Sequence, residues 1–316
     1  MKFSKAAKLE MIKQVRSEDA LLSMLSGIIL SCGSLIVSRK QISFELSSEL
    51  RELLEFTKSI ILKNFKTSDD DIRITDLGGK GKFMLSVTLF LGQQVLDFLG
   101  IVRFDANGLA INRAPSKSLL ADDECKRAFL AGAFVGAGSV STPSESASGY
   151  HLEWVSQTEE KADSISNLLG EFNVISKKVQ RGESSIVYIK GSDEICRALV
   201  VMGAPSAMLK IETGKVEREV RNNINRQVNC EAANLDKIMA ASANEVKAIE
   251  TIKETIGLDG LPQNLRDVAQ IRAKNPQASL AQICRLLGDN ISRTGVSLRL
   301  KKLVKIAQDL GDNYGE

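Results

Sequence analysis

The chain has 316 residues, 43% of them hydrophobic and 26% charged, and 42 Lys and Arg against 39 Asp and Glu leave a net charge of +3. That length predicts about two domains, each able to bury a core without covalent staples, and the near balance of charge confines any basic surface to a local patch. A single histidine, His151, excludes a multi-histidine metal site, and five scattered cysteines (32, 125, 196, 230 and 284) without a CxxC exclude zinc ribbons and thioredoxin-like redox chemistry.

Such a cysteine set fits reduced thiols in a cytosolic compartment. The first segment, FSKAAKLEMIKQVRSE (3–18), reads as a basic amphipathic helix suited to packing. Residues 20–38 carry no charge over nearly the length of a membrane span. Five serines and two glycines dilute that stretch, and Glu10, Glu18 and Asp19 spoil a signal-peptide n-region, so no membrane segment is expected.

The uncharged stretch is instead half of a repeat. LSGIILSCGSL (25–35) aligns with LAGAFVGAGSV (130–140), matching Leu25/Leu130, Gly27/Gly132, Gly33/Gly138 and Ser34/Ser139 at a constant offset of 105. Alternating QISFEL (41–46) and helical 47–65 follow the first copy; YHLEWVS (150–156) and helical 157–172 follow the second. Two strand candidates come next in each case, DIRITDL (71–77) with KFMLSVTL (82–89), then NVISKKV (173–179) with SSIVYIK (184–190). QQVLDFLG (93–100) and DEICRALVVMG (193–203) close the units. Each unit reads αββαββα, from the alternation of period-2 and period-3.6 patterns. Gly27 and Gly132, with Ser26 and Ala131, predict a close helix-helix seam, and Gly33 and Gly138 predict left-handed helix ends.

This doubled L-[SA]-G-x-x-x-x-x-G-S pattern resembles the LAGLIDADG motif of homing endonucleases, in which paired helices join two αββαββα halves. The resemblance puts the metal-binding acids of that family at Cys32 and Ala137, with Leu30 and Val135 at the other acidic motif positions. Phosphodiester hydrolysis by Mg²⁺ needs oxygen ligands, and no Asp or Glu occurs from 20 to 44 or from 126 to 144. The expectation is a non-enzyme without metal or cofactor; the alternative is a residual LAGLIDADG-type DNA endonuclease.

From about residue 204 the strand patterns stop. Residues 204–242 read as helical with an Asn-rich interruption, RNNINRQVN (221–229), which either caps and bends a helix or presents amides and guanidinium groups. Four helix candidates follow: one behind an S-x-x-E capping box at Ser242 and Glu245, one opening at Pro262, one at Ser279 with Gln282, and one near Ser292. The last two are separated by a turn, GDN, of helix-turn-helix spacing. In the last helix Val296, Leu300, Leu303, Ala307 and Leu310 form one apolar stripe. Arg293, Thr294, Ser297, Arg299, Lys301, Lys302 and Lys305 lie opposite or beside it, and no acid occurs from Asn290 to Lys305. Early Arg, Thr and Ser with Lys behind suit base edges and phosphates of a major groove. Leu298 sits awkwardly on the same face.

Degenerate LAGLIDADG repeats followed by a helix-turn-helix are similar to the bacterial WhiA family over nearly the whole chain. The matching segments are RNNINRQVNCEAANLDK (221–237), LPQNLRDVAQIR (261–272) and ISRTGVSLRLKKLVKIA (291–307). The resemblance implies an α+β N-terminal domain of two repeats and an all-α C-terminal domain similar to region 4 of sigma factors. It also implies a partner, double-stranded DNA, and roles in transcription regulation or in cell division and chromosome segregation. Ser297-Leu298 stands where family members often carry Asn-His, which bears on base preference and not on fold. The expected division is 1–220 for the duplicated domain (repeats about 19–100 and 122–203), 221–242 for a linker helix and 243–316 for the helix-turn-helix. Arg221, Asn222, Asn225 and Arg226 are secondary DNA candidates, and the N-terminal domain is a candidate surface for regulators or division proteins. The expected location is the cytoplasm, at the nucleoid.

The other candidates read as structural. His151 belongs to a strand, and Gly78, Gly79 and Gly81 with Lys80 and Lys82 have turn rather than P-loop spacing. Asp69, Asp70 and Asp71 mark a helix-to-strand turn, and Lys177, Lys178 and Arg181 a charged strand edge.

Overall fold

A computed structural model describes residues 2–14, 16–38, 41–79, 81–105, 108–143, 149–288 and 291–313. Contacts separate two units, Met1–Glu217 and Arg218–Glu316, each with its own apolar core.

The first unit opens with α1 (Phe3–Lys13), which buries Ala7, Met11 and Ile12. Then come α2 (Glu18–Cys32), β1 (Gly33–Ser38), β2 (Gln41–Ser48), α3 (Arg51–Asn64), β3 (Ile72–Asp76), β4 (Phe83–Val87) and α4 (Leu89–Phe98). A hairpin of β5 (Val102–Asp105) and β6 (Gly108–Ile111) leads to the second copy. That copy is α5 (Asp123–Ala137), β7 (Gly138–Ser141), β8 (His151–Ser156), α6 (Glu159–Glu171), β9 (Lys177–Arg181), β10 (Ser184–Lys190) and α7 (Ser192–Val201). The two four-stranded sheets have the same order, β1-β2-β4-β3 and β7-β8-β10-β9. The duplication is therefore structural as well as sequential.

The uncharged stretch 20–38 is explained by α2, which packs along α5. From Leu22 to Leu30 every residue of α2 is buried. Among the described residues no helix is long and apolar enough to cross a membrane. The two helices start alike, with caps at the same repeat position. Ser17 Oγ accepts from Ala20 N at 3.3 Å, and Asp122 Oδ1 accepts from Cys125 N at 2.8 Å. The second bond holds the Asp122 carboxyl below its usual range. Glu124 of α5 also accepts from Ser17 N and Oγ, each at 2.9 Å, tying one helix start to the other.

Two expectations need correction here, one element is new, and one open alternative is decided. Gly33 and Gly138 are not left-handed caps: their φ values are −77° and −92°, and the chain runs directly from helix into strand. They are glycines for room, since an added Cβ would collide with Ile29 O at the first and with the Phe134 ring at the second. The strand predicted at 173–179 starts instead at Lys177, because Asn173 takes φ 57° just after α6. The β5–β6 hairpin was not anticipated. Finally, the Asn-rich run does not break a helix: α8 (Pro205–Thr255) is continuous through it and through residues 221–242. Glu10 of α1 caps its start, accepting from Ser206 N at 2.6 Å and Ala207 N at 3.0 Å.

The second unit continues from α8 with α9 (Gln263–Lys274), α10 (Leu280–Leu286) and α11 (Arg293–Asn313). Ala248, Ile249 and Ile252 of α8, Leu265, Val268 and Ala269 of α9, and Ile283 and Cys284 of α10 form its core with α11.

Candidate nucleic-acid interface

The apolar stripe of α11 is buried as its spacing requires: Val296, Leu300, Leu303 and Ala307 are 0–8% exposed, and Leu310 packs against them. Burying that stripe turns the opposite face outward. Arg293, Thr294, Lys301, Lys302 and Lys305 are exposed, and Ser297 is half-buried. Leu298 stands among them at 62% exposure. Arg299 differs from its neighbours, because its Nη1 donates to Asn264 O at 3.3 Å and ties α11 to the start of α9. Ser292 begins the helix by accepting from Gly295 N at 3.2 Å, and Val296 N donates to Ser292 O at 3.0 Å. Of the GDN turn, residues 289–290 lie outside the described residues.

The helix before the turn is held by a reciprocal cap. Ser279 Oγ accepts from Gln282 N at 3.3 Å while Gln282 Oε1 accepts from Ser279 N at 2.8 Å, the capping box expected there. The box expected at Ser242 and Glu245 is absent, since both lie inside α8. Their side chains bind the end of α9 and its connection to α10 instead. Ser242 Oγ donates to Pro276 O, and Glu245 Oε2 meets Arg272 Nε at 2.8 Å. Arg272 is 3% exposed and also donates from Nη1 to Ala278 O at 2.6 Å and Pro276 O at 3.3 Å. Burial pushes the Glu245 carboxyl up, and Arg272 draws it partly back.

Beside α10 an open groove of about 740 Å³ is lined by Asn275, Gln277, Gln282 and Arg285 among others. Sequence reading marked Gln282 only as a cap residue and did not mark Asn275, Gln277 or Arg285. A signal was available, since no acid occurs from Val268 to Gly288. Arg221, Asn222, Asn225 and Arg226 are all exposed on α8.

In the first unit Gly27 and Gly132 form the seam. A Cβ on Gly27 would meet Phe129 O and lie 2.9 Å from Ala133 N, and one on Gly132 would meet Met24 O and lie 3.0 Å from Met24 C. At the C-terminal ends of the seam helices are Cys32 and Ala137. Cys32 Sγ donates to Ile28 O at 3.4 Å, and burial pushes its thiol up to about 12. A neutral thiol and a methyl group do not fit a hard divalent cation, which takes oxygen ligands. His151 Nε2 lies 3.1 Å from Glu153 Oε2 and its ring stacks on Tyr188, a structural setting. Gly78, Gly79 and Gly81 have positive φ in the β3–β4 turn, while Lys80 lies outside the described residues. Lys178 is paired with Asp163.

Comparison with known proteins follows this division. Residues 21–111 and 126–221 match the WhiA LAGLIDADG-like domain, and 224–307 match the WhiA C-terminal HTH domain. The chain belongs to the WhiA family. A protein of Clostridium botulinum named "Probable cell division protein WhiA" is 35% identical over 98% of this chain and 99% of its own length. One of the same name from Clostridium perfringens is 35% identical over 98% of each chain. The crystal structure of full-length WhiA from Thermatoga maritima is 24% identical, covers 98% of this chain and 99% of its own, and superposes with a TM-score of 0.54. The expected α+β LAGLIDADG-like domain and helical helix-turn-helix domain are thus those of the WhiA fold.

Proposed function

We propose that this WhiA-family chain is a DNA-binding protein of the bacterial cytoplasm and nucleoid that acts in transcription regulation or in cell division and chromosome segregation. The observation that carries the reading is α11: one face fills the core of the second unit, and the other presents Arg293, Thr294, Lys301, Lys302 and Lys305 outward. Such a face suits a major groove, with the early side chains at base edges and the lysines at phosphates. Arg299 serves the fold through Asn264 and contributes its charge at the edge of that face. Arg221, Asn222, Asn225 and Arg226 are a second contact set for the duplex, and the duplicated unit is a surface for regulators or division proteins. The chain does not cleave DNA, because Cys32 and Ala137 supply no carboxylate at the seam ends.

Titrating full-length protein against duplex DNA over a series of salt concentrations tests this. Lys301→Gln and Lys302→Gln are expected to weaken binding on all sequences and to flatten the salt slope by about 0.9 for each phosphate no longer neutralised. Arg293→Ala is expected to reduce discrimination between sites. A variant carrying all three changes that binds DNA like the intact chain refutes the assignment.

A further inference from the structure

A cleft of about 380 Å³ opens in the first unit beside the end of α2. Its polar lining comes from three segments distant in sequence: Ser34 of β1, Asn112 and Arg113 just after β6, and Gln157, Thr158 and Lys161 around the start of α6. Ile29, Leu30 and Ile101 supply apolar wall. A cleft of this size is in the range that holds small-molecule ligands.

The polar groups are unusual in kind. Burial lowers the Lys161 pKa, and the Arg113 charge facing it lowers it further. Among the described residues neither cation makes a hydrogen bond or ion pair with a carboxylate; exposed Glu160 acts on Lys161 only weakly, through its field. Cys32 lies near enough for its charge to bear on Lys161, but burial keeps that thiol neutral at pH 7, so it is no counter-ion. Thr158 occupies the N-cap position of α6 yet makes no cap bond, and its Oγ1 is buried without a hydrogen-bond partner. Exposed Asn112 accepts at Oδ1 from Ala114 N at 3.1 Å, which leaves its amide NH₂ as a donor for a ligand. Two facing cations, an orphaned hydroxyl and a side-chain amide donor therefore converge with no anion among them. Arg113 is exposed and Lys161 half-buried, so two like charges stand together at the cleft without a counter-charge, and an anion there is drawn to both.

We propose that this cleft binds a phosphoryl group, with Arg113 and Lys161 as its charge partners and Thr158 and Asn112 as neutral donors. Arg113 offers a planar fork matched to phosphate oxygens, and Lys161 a point charge. The group belongs either to a phosphorylated small molecule or to a backbone phosphate of DNA. The site does not depend on α11, so its failure leaves the reading of the helix-turn-helix untouched.

Calorimetric titration of the full-length chain with inorganic pyrophosphate, against chloride at matched ionic strength, tests the proposal. Saturable binding of one pyrophosphate per chain is expected. Lys161→Gln and Arg113→Gln should each weaken it about tenfold or more, the weight of one charge-assisted hydrogen bond. Repeating the titration with a saturating short duplex separates the sources: loss of pyrophosphate binding assigns the cleft to the DNA backbone, and retained binding assigns it to a free phosphorylated molecule. Each single variant should melt without ligand close to the temperature of the intact chain, because Arg113 is exposed and neither cation holds a carboxylate partner. No saturable binding, equal binding by the Arg113→Gln/Lys161→Gln double variant, or a large fall in melting temperature in the single variants overturns the proposal.

Discussion

Glycine at the seam is decided by what a methyl group would meet. At Gly132 an added Cβ runs into the backbone of Met24, which cannot swing aside as the end of a side chain can. Overpacking of this kind costs about 1–3 kcal/mol, and more where the backbone must move. Gly170 in α6 is the opposite case, since a Cβ there has nothing within 4 Å. In the last turn of that helix alanine gains up to about 0.5–1 kcal/mol over glycine. Gly132→Ala should therefore lower the denaturation midpoint of the first unit while Gly170→Ala raises it, as followed by the fluorescence of Trp154. A shift of the same sign in both would mean that helix propensity rather than the α2–α5 approach governs these positions. Residue identity carried the seam in the sequence, because glycine recurs at a fixed offset of 105. It misled at Gly33 and Gly138, where the glycine serves space and not dihedral angle.

Elements are joined in the second unit by buried polar ties that periodicity does not reveal. Ser242 and Glu245 have the spacing of a capping box, and a local reading takes them as a helix start. A box needs a non-helical N-cap followed by unpaired N–H groups, whereas α8 runs on from Pro205, so the two side chains are free to reach Pro276 and Arg272. The apolar spacing Val216, Val220, Ile224, Val228 passes through the Asn-rich run at steps of four, a signal for continuity that the poor helix propensity of Asn outweighed. The β5–β6 hairpin escaped for another reason: every residue of β6 is exposed, so it shows no buried alternation. Where alternation or a stripe does reach a core, as in β2, β10 and α11, the element was legible. The Arg113–Lys161 cleft was not, because its residues meet only through tertiary packing. The Glu245–Arg272 tie also has a measurable cost of removal. Arg272→Met leaves a half-buried carboxylate unpaired and should cost about 3–5 kcal/mol, while the Glu245→Leu/Arg272→Met double variant should recover most of the loss. Equal losses in single and double variants, read from denaturant midpoints, would show that Arg272 acts through the Ala278 and Pro276 carbonyls alone.

On the scale of the whole chain, the boundary between the two units falls inside α8, at Glu217 and Arg218. Every residue from Val216 to Ala241 is exposed, so this stretch gains no stability from burial. It also holds Asn222, Asn223, Asn225, Asn229 and Asn234, all weak helix formers. A helical stretch without tertiary packing is marginal in water, and its amides open locally at low cost. Hydrogen exchange should therefore be faster across 216–241 than in α2 or α11, and trypsin should cut first at Arg221, Arg226 or Lys237. The same stretch carries Val216, Val220, Ile224 and Val228 at 52–61% exposure, an apolar line along one side. Protection of 216–241 equal to that of α2 would mean that this line is covered in solution, since no intrinsic propensity of the sequence supplies that much stability. Repeating the exchange at several protein concentrations distinguishes coverage by a second copy, which dilution removes, from coverage within one chain, which it does not.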